Sequence, residues 1–298
     1  MAQNNFWDIF SESRNIFKAH SSPFQTLSLI FLFPFSFLLS LSLSNIFNKF
    51  SYTNLQHQIP NHTFLLYSLL ALLFSNCGVI SITYSVFNSF YGQPVNLQSA
   101  INSISSFFLP LLATTIVSQV IIFCISLLYA LLLVLAIYGV VLFDITISYS
   151  SPYFIAFFVA LPLLLVLIYL QVNWALVPVI VVVESCWGLE PLRKSARLIK
   201  GMKGVALYSL FVYGFFGGII VWNGLPNSTG SNGTTYNWVH WASIMSQSCF
   251  LAVLMLSYIA VNTILYIYCK TNHGELVEEF GKNGVSLPFH DGKASTAV

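Results

Sequence analysis

The chain has 298 residues, of which 57% are hydrophobic, 16% aromatic and only 7% charged, with a formal net charge of +2. Together with a mean hydropathy of +0.79, this excludes an ordinary soluble globular domain and makes lipid the expected solvent. In such a protein the position of the charges matters more than their sum, and no nucleic-acid partner is expected.

Residues 4–19, NNFWDIFSESRNIFKA, place Phe6, Phe10, Ser13 and Phe17 in one row with Ile9 and Ile16 beside it. Asp8 and Glu12 come early and Arg14 and Lys18 late, as the helix dipole favours. Residues 1–20 are therefore read as an amphipathic helix, lying either in the membrane interface or on the ends of the spans.

A hydrocarbon core about 30 Å thick needs roughly 20 apolar helical residues to cross it. Six runs qualify, near 25–47, 63–90, 107–143, 152–183, 205–222 and 241–269. The first is too long for a cleavable signal and has no small-residue cleavage site, so it is read as a retained span. The third and fourth exceed the required length and must tilt, project or break, with Pro162 and Pro178 as candidate breaks in the fourth. The fold class is thus all-α: a polytopic integral membrane helix bundle with about six transmembrane helices and one or two cytosolic interfacial amphipathic helices. The bundle covers residues 21–270, and 271–298 read as a flexible cytosolic tail.

An even number of spans puts both termini on one side, together with connections 91–104 and 184–204. Arg14, Lys18, Arg193, Lys194, Arg197, Lys200, Lys203 and Lys270 all fall on that side, against Lys49 alone in the opposite loops. The positive-inside rule makes the basic side cytosolic. Sequons at Asn61, Asn227 and Asn232 are glycosylation candidates and lie on the other side. Trp187, Trp222, Trp238, Trp241 and Tyr153 mark run ends, where amphipathic rings prefer the headgroup level.

The segment 184–204, ESCWGLEPLRKSARLIKGMKG, holds about a third of all the charge. Cations cost roughly 2.5–3.5 kcal/mol each at mid-bilayer, so these must reach water or phosphate. Gly188 lets the chain leave the fourth run, Pro191 suits a first helical turn, and Gly201 and Gly204 can end the segment. Leu189, Leu192, Ala196 and Ile199 form an apolar face beside Arg193, Arg197 and Lys200. An interfacial helix over 189–200 is expected, with Arg193, Lys194, Arg197, Lys200 and Lys203 on anionic phospholipid headgroups. Glu184 is expected to pair with Arg193 or Arg197.

Trp174, Glu184, Gly188, Ser195, Leu198, Lys200 and Gly201 follow the pattern W…VxxVxExxxGxxxxxxSxxLxKG. With Tyr266-Ile-Tyr268-Cys269-Lys270 and Tyr91-Gly92, this resembles a plant family of uncharacterised multi-pass membrane proteins, from the first span to about residue 280. Bacterial membrane domains attached to glycerophosphodiester phosphodiesterases are similar around the same Glu, Gly, Ser and Lys-Gly positions. Ser185 stands where that pattern carries a second acid. The resemblance implies a plant membrane, not a reaction.

No catalytic or metal-binding spacing is found among the six histidines, His20, His57, His62, His240, His273 and His290, so no enzyme activity, metal or cofactor is expected. Cys77, Cys124 and Cys249 read as small hydrophobes, while Cys186 and Cys269, at span ends, are S-acylation candidates. The polar set within the spans is Asn76, Gln119, Gln171, Asn173, Gln247 and Asn262, read as interhelical glue or as the lining of a path. Ser36, Ser40 and Ser44, and Gly214 with Gly218, offer close helix approach inside one protomer. The function expected is that of a non-enzymatic, lipid-contacting scaffold or membrane-organising component of the endomembrane system or plasma membrane, with membrane-protein partners possible. The alternative is a transporter or channel for a neutral or lipid-like solute. These readings separate on whether the polar set converges.

Overall fold

The computed structural model describes residues 6–19, 21–51, 61–93, 97–142, 152–224 and 238–272. Among them there are helices and turns but no strands, and six helical stretches are long and apolar enough to cross a membrane. The tail beyond residue 272 and the sequons at Asn227 and Asn232 lie outside the described residues.

Helix α1 spans Phe6–Ala19 and α2 Ser21–Leu27; a π-helical turn over Ser28–Leu32 then leads into α3, Phe33–Ser51. The turn has a local cause. Pro34 has no N–H to continue the α-helical ladder, and the Phe33 N–H reaches back five residues to the Ser28 carbonyl.

Helix α4, Asn61–Phe90, runs back along α3. Gly78 is where they meet most closely, since a Cβ there would sit 2.9 Å from Leu32 Cδ2. The serine stripe of α3 is buried at Ser36, Ser40 and Ser44, against α4 and α10. Gly92, at φ +68, ends α4, with its N–H on the Ser89 carbonyl and that of Gln93 on Asn88.

Helix α5 runs from Leu97 to Leu142, so most of the connection expected over 91–104 is helix. The stripe Leu97, Ala100, Ser103, Ile104 and Phe107 faces inward at helical spacing, leaving Gln98, Asn102 and Ser105 outside. The polar residues of this segment lie mostly on the outer side, and the one on the inward stripe, Ser103, donates its hydroxyl to the Ala100 carbonyl of its own helix.

The fourth run is two helices, α6 at Pro152–Asn173 and α7 at Val177–Glu184. The break lies at neither proline. Pro162 sits within α6, whereas Pro178 acts one turn upstream, because it cannot donate to the Trp174 carbonyl and its ring crowds that oxygen. Val177 N–H takes the Trp174 carbonyl instead, at 3.0 Å. Pro178 thereby falls in the first turn of α7, where a proline is tolerated.

A short connector leads to α8, Glu190–Leu198, followed by a 3-10 turn at Ile199–Gly201, α9 at Lys203–Gly224 and α10 at Trp238–Asn272. Burial is concentrated at the end of the bundle that holds α1, α7, α8 and the last turns of α10. Phe24, Ile80, Ile82, Leu176, Ile180, Leu198, Ile199 and the run from Ile264 to Ile267 are fully enclosed there. By contrast, the far halves of α4, α5 and α9 and the middle of α6 expose large apolar side chains, as lipid-facing helices do.

A Cβ placed at Gly214 or Gly218 would meet nothing within 4 Å. Their expected close packing inside the protomer is therefore not found, and it is Gly217 that faces α10, where a Cβ would come 3.7 Å from Leu254 Cδ2.

Candidate functional site

The charged segment and the two helices at the ends of the described chain come together at the enclosed end. Helix α1 packs on α10, α4 and α9, with Phe6 and Ile9 buried and the Phe6 ring edge-on to Tyr208 at 4.9 Å. Of its two expected placements, the structure has it on the helix ends. Tyr268 on α10 donates its hydroxyl to Glu12 at 2.5 Å, tying α1 down.

Two residues earlier on α10, Tyr266 donates to Glu184 Oε1 at 2.6 Å. The other carboxylate oxygen meets Lys194 Nζ at 2.6 Å, and Lys270 Nζ stands 3.5 Å from Oε1. The ammonium groups around Glu184 are thus those of Lys194 and Lys270, where arginines 193 and 197 had been expected. Helical phase explains the difference: Lys194 adjoins the buried Ser195 and points towards α7 and α10, while Arg193 and Arg197 lie on the exposed side. Lys270 also lies over the Tyr266 ring, 5.8 Å from its centroid. With both oxygens engaged, the carboxylate acts as a clamp joining α7, α8 and α10.

The elbow between α7 and α8 is shaped by its backbone. Ser185 is left-handed at φ 56 and Gly188 at φ 78, which reverses the chain within a few residues. The Gly188 N–H donates to Thr114 Oγ1 on α5 at 3.1 Å. Ser195 donates to the Asn173 carbonyl at 2.6 Å. That carbonyl is free because the break before α7 removes its usual helical partner. The motif positions Trp174, Glu184, Gly188, Ser195 and Leu198 therefore each hold the elbow in place.

Helix α8 also differs from expectation in the face it buries. Pro191, Leu192, Ser195 and Leu198 are enclosed, with Ile199 just beyond, and Leu192 packs with Ile80, Leu111, Val177, Val181 and Val182. Leu189, expected on the apolar face, is exposed. The apolar side of this helix is thus seated in protein rather than among acyl chains. Its outer side presents Arg193 and Arg197, and the 3-10 turn adds Lys200 beside them, all exposed. Lys203, at the start of α9, stands 5.5 Å from the Tyr169 ring centroid. Trp187, 69% exposed, lies on the same elbow, and Trp222 and Trp238 are exposed at the opposite end.

The two cysteines singled out by sequence differ. Cys269 is buried at 1% exposure, which closes it to acyl transfer in the folded chain. Cys186 is partly exposed; its thiol pKa is pushed up by burial first and then by the negative charges of Glu190 and Glu184.

The polar set is scattered. Gln119 and Gln171 are on the outside of the bundle. Asn173 bonds the Tyr169 carbonyl within its own helix, and Gln247 reaches the Val221 carbonyl at 3.5 Å. Asn262 lies beside Tyr258, and Asn76 is buried on α4. Asn61, the third sequon, is the first residue of α4. Among the described residues no three His, Cys, Asp or Glu side chains are grouped as metal ligands.

Fold and site together define an all-α bundle of the multi-pass membrane class, closed at one end by a charged elbow. The chain belongs to the family described as a domain of unknown function, DUF8558, which matches residues 48–281. No curated protein and no solved structure matches it.

Proposed function

We propose that the chain is a non-enzymatic, lipid-contacting scaffold of the endomembrane system or plasma membrane, whose charged end faces the cytosol and engages anionic phospholipid headgroups. One observation carries this reading: α8 is anchored by Leu192, Ser195 and Leu198 while it holds Arg193 and Arg197 outward, and the 3-10 turn that follows it holds Lys200 outward beside them. A fixed row of cations loses less side-chain and backbone freedom on meeting phosphate than a mobile loop does. The excess of basic residues at this end, the exposed Trp187 and the likeness of the motif to plant multi-pass proteins support the same placement. The scattered polar set supports a scaffold over a solute path.

Each cation at an anionic surface contributes about 1 kcal/mol. Neutralising Arg193, Arg197 and Lys200 together to Gln should therefore lower the share of anionic phospholipid that copurifies with the protein by at least ~5-fold, the equivalent of one such contribution. Lipid analysis of the purified wild type and variant measures this, with thermal unfolding as the control for folding. An unchanged lipid profile in a folded variant would remove the basis of the proposal. Sidedness is tested separately, since endoglycosidase digestion should shift the mobility of the chain through Asn227 and Asn232.

A further inference from the structure

The length of α5 does not fit the span it makes. Thr114 is bonded to Gly188, which places it level with the charged elbow. From there to Leu142 the helix continues for about 28 residues, or ~42 Å, with neither a charged residue nor a proline. Helices α6 and α9 are 22 residues each, or ~33 Å, close to the ~30 Å of an average hydrocarbon core. To fit within that core, α5 beyond Thr114 would tilt by about 45°, past the usual upper limit of ~40°.

Where its side chains are described, the far part of this stretch is apolar and exposed. Phe123, Leu127, Leu131, Leu135 and Tyr138 are all exposed, and the most apolar part of Leu97–Leu135 has no residue buried in protein. Helix α6 runs beside it and is itself exposed at Leu164, Leu165 and Tyr169.

We propose that α5, beyond Thr114, forms a lipid-facing arm whose partner is the acyl chains of a thick bilayer, so that this helix is seated best where the hydrocarbon core exceeds the average. This surface is separate from the cationic row on α8 and does not depend on headgroup charge. An uncharged helix of this length loses apolar burial when its far end leaves the hydrocarbon, and only a longer acyl region or a steeper tilt restores it.

The test uses the full chain in phosphatidylcholine vesicles whose monounsaturated acyl chains range from dimyristoleoyl to dierucoyl. A Leu135→Cys variant is exposed to a membrane-impermeant maleimide, with labelled sites resolved by peptide mass. Position 135 should label at least several-fold faster in the thinnest vesicles than in the thickest, while the native Cys124, nearer the elbow, stays protected in all. Unaltered protein in the same series should show an unfolding midpoint that rises with chain length. Labelling and midpoint that are both independent of thickness overturn the proposal. So does efficient Cys124-to-Cys124 cross-linking with thickness-independent labelling, which would give this face to a second copy of the chain.

Discussion

Replacing Glu184 by Gln removes one negative charge from between two ammonium groups while keeping the size of the side chain and an oxygen for Tyr266. In the native protein, Lys194 lies 2.6 Å and Lys270 3.5 Å from the carboxylate, and the side chains are 25%, 9% and 11% exposed for Lys194, Lys270 and Glu184. Taking one partner from an enclosed ion pair costs about 3–5 kcal/mol, because the remaining charge is left without compensation. Partial exposure of Lys194 argues for the lower end, ~3 kcal/mol, which for a chain of this size corresponds to a fall of about 6–12 °C in the unfolding midpoint. The assay is thermal unfolding of nanodisc-embedded protein, followed by tryptophan fluorescence. Lys194→Met alone should cost less, since Lys270 still neutralises Glu184. Combining Glu184→Gln with Lys194→Met should recover part of the loss, with a coupling energy above about 1 kcal/mol. If Glu184→Gln shifts stability by less than ~0.5 kcal/mol, as an ordinary surface substitution does, or if the two changes are additive, the clamp is not what holds the elbow.

The two glycines near the site should fail for different reasons. Gly188→Ala meets open space but carries a φ of +78, so it should cost about 1–2 kcal/mol, with Gly188→Asn recovering part of that because Asn tolerates the left-handed region. Gly78→Ala has no such backbone demand but puts a Cβ 2.9 Å from Leu32 Cδ2 and 3.3 Å from Phe31 Cβ, so it should cost about 1–3 kcal/mol by overpacking; Leu32→Ala in the same chain should relieve part of the strain, and thermal unfolding reads both series. For the cysteines, alkylation followed by mass analysis should find Cys269 unreactive in folded protein. Cys186 should react more slowly at neutral pH than it does after unfolding and accelerate as pH rises, because its raised pKa leaves less thiolate at any given pH. A Cys186 rate equal in folded and unfolded protein would count against that environment.

How far the site could be read from sequence follows from which physical constraint acts locally. Hydrocarbon demands length without charge, so the six spans were legible from composition along the chain. The break in the fourth run was misplaced because the effect of Pro178 is expressed on the carbonyl of Trp174, one turn before the ring itself. Helical spacing over 189–200 grouped Arg193, Arg197 and Lys200 on one side, where all three are exposed, yet it could not say which neighbouring face would be enclosed. That depended on the Asn173 carbonyl, freed by the break and taken by Ser195, and on Tyr266 and Lys270, some 80 residues further on. The long-range partners also separate two properties that the motif merges in one dimension. Glu184, Gly188, Ser195 and Leu198 fix the elbow through contacts inside the protein, whereas Arg193 and Arg197 stand between them on the outside. Shape and surface charge are therefore set by different positions of one short segment, so substitutions at Glu184 or Ser195 test the fold, and neutral substitutions at Arg193 and Arg197 test the membrane contact without disturbing it.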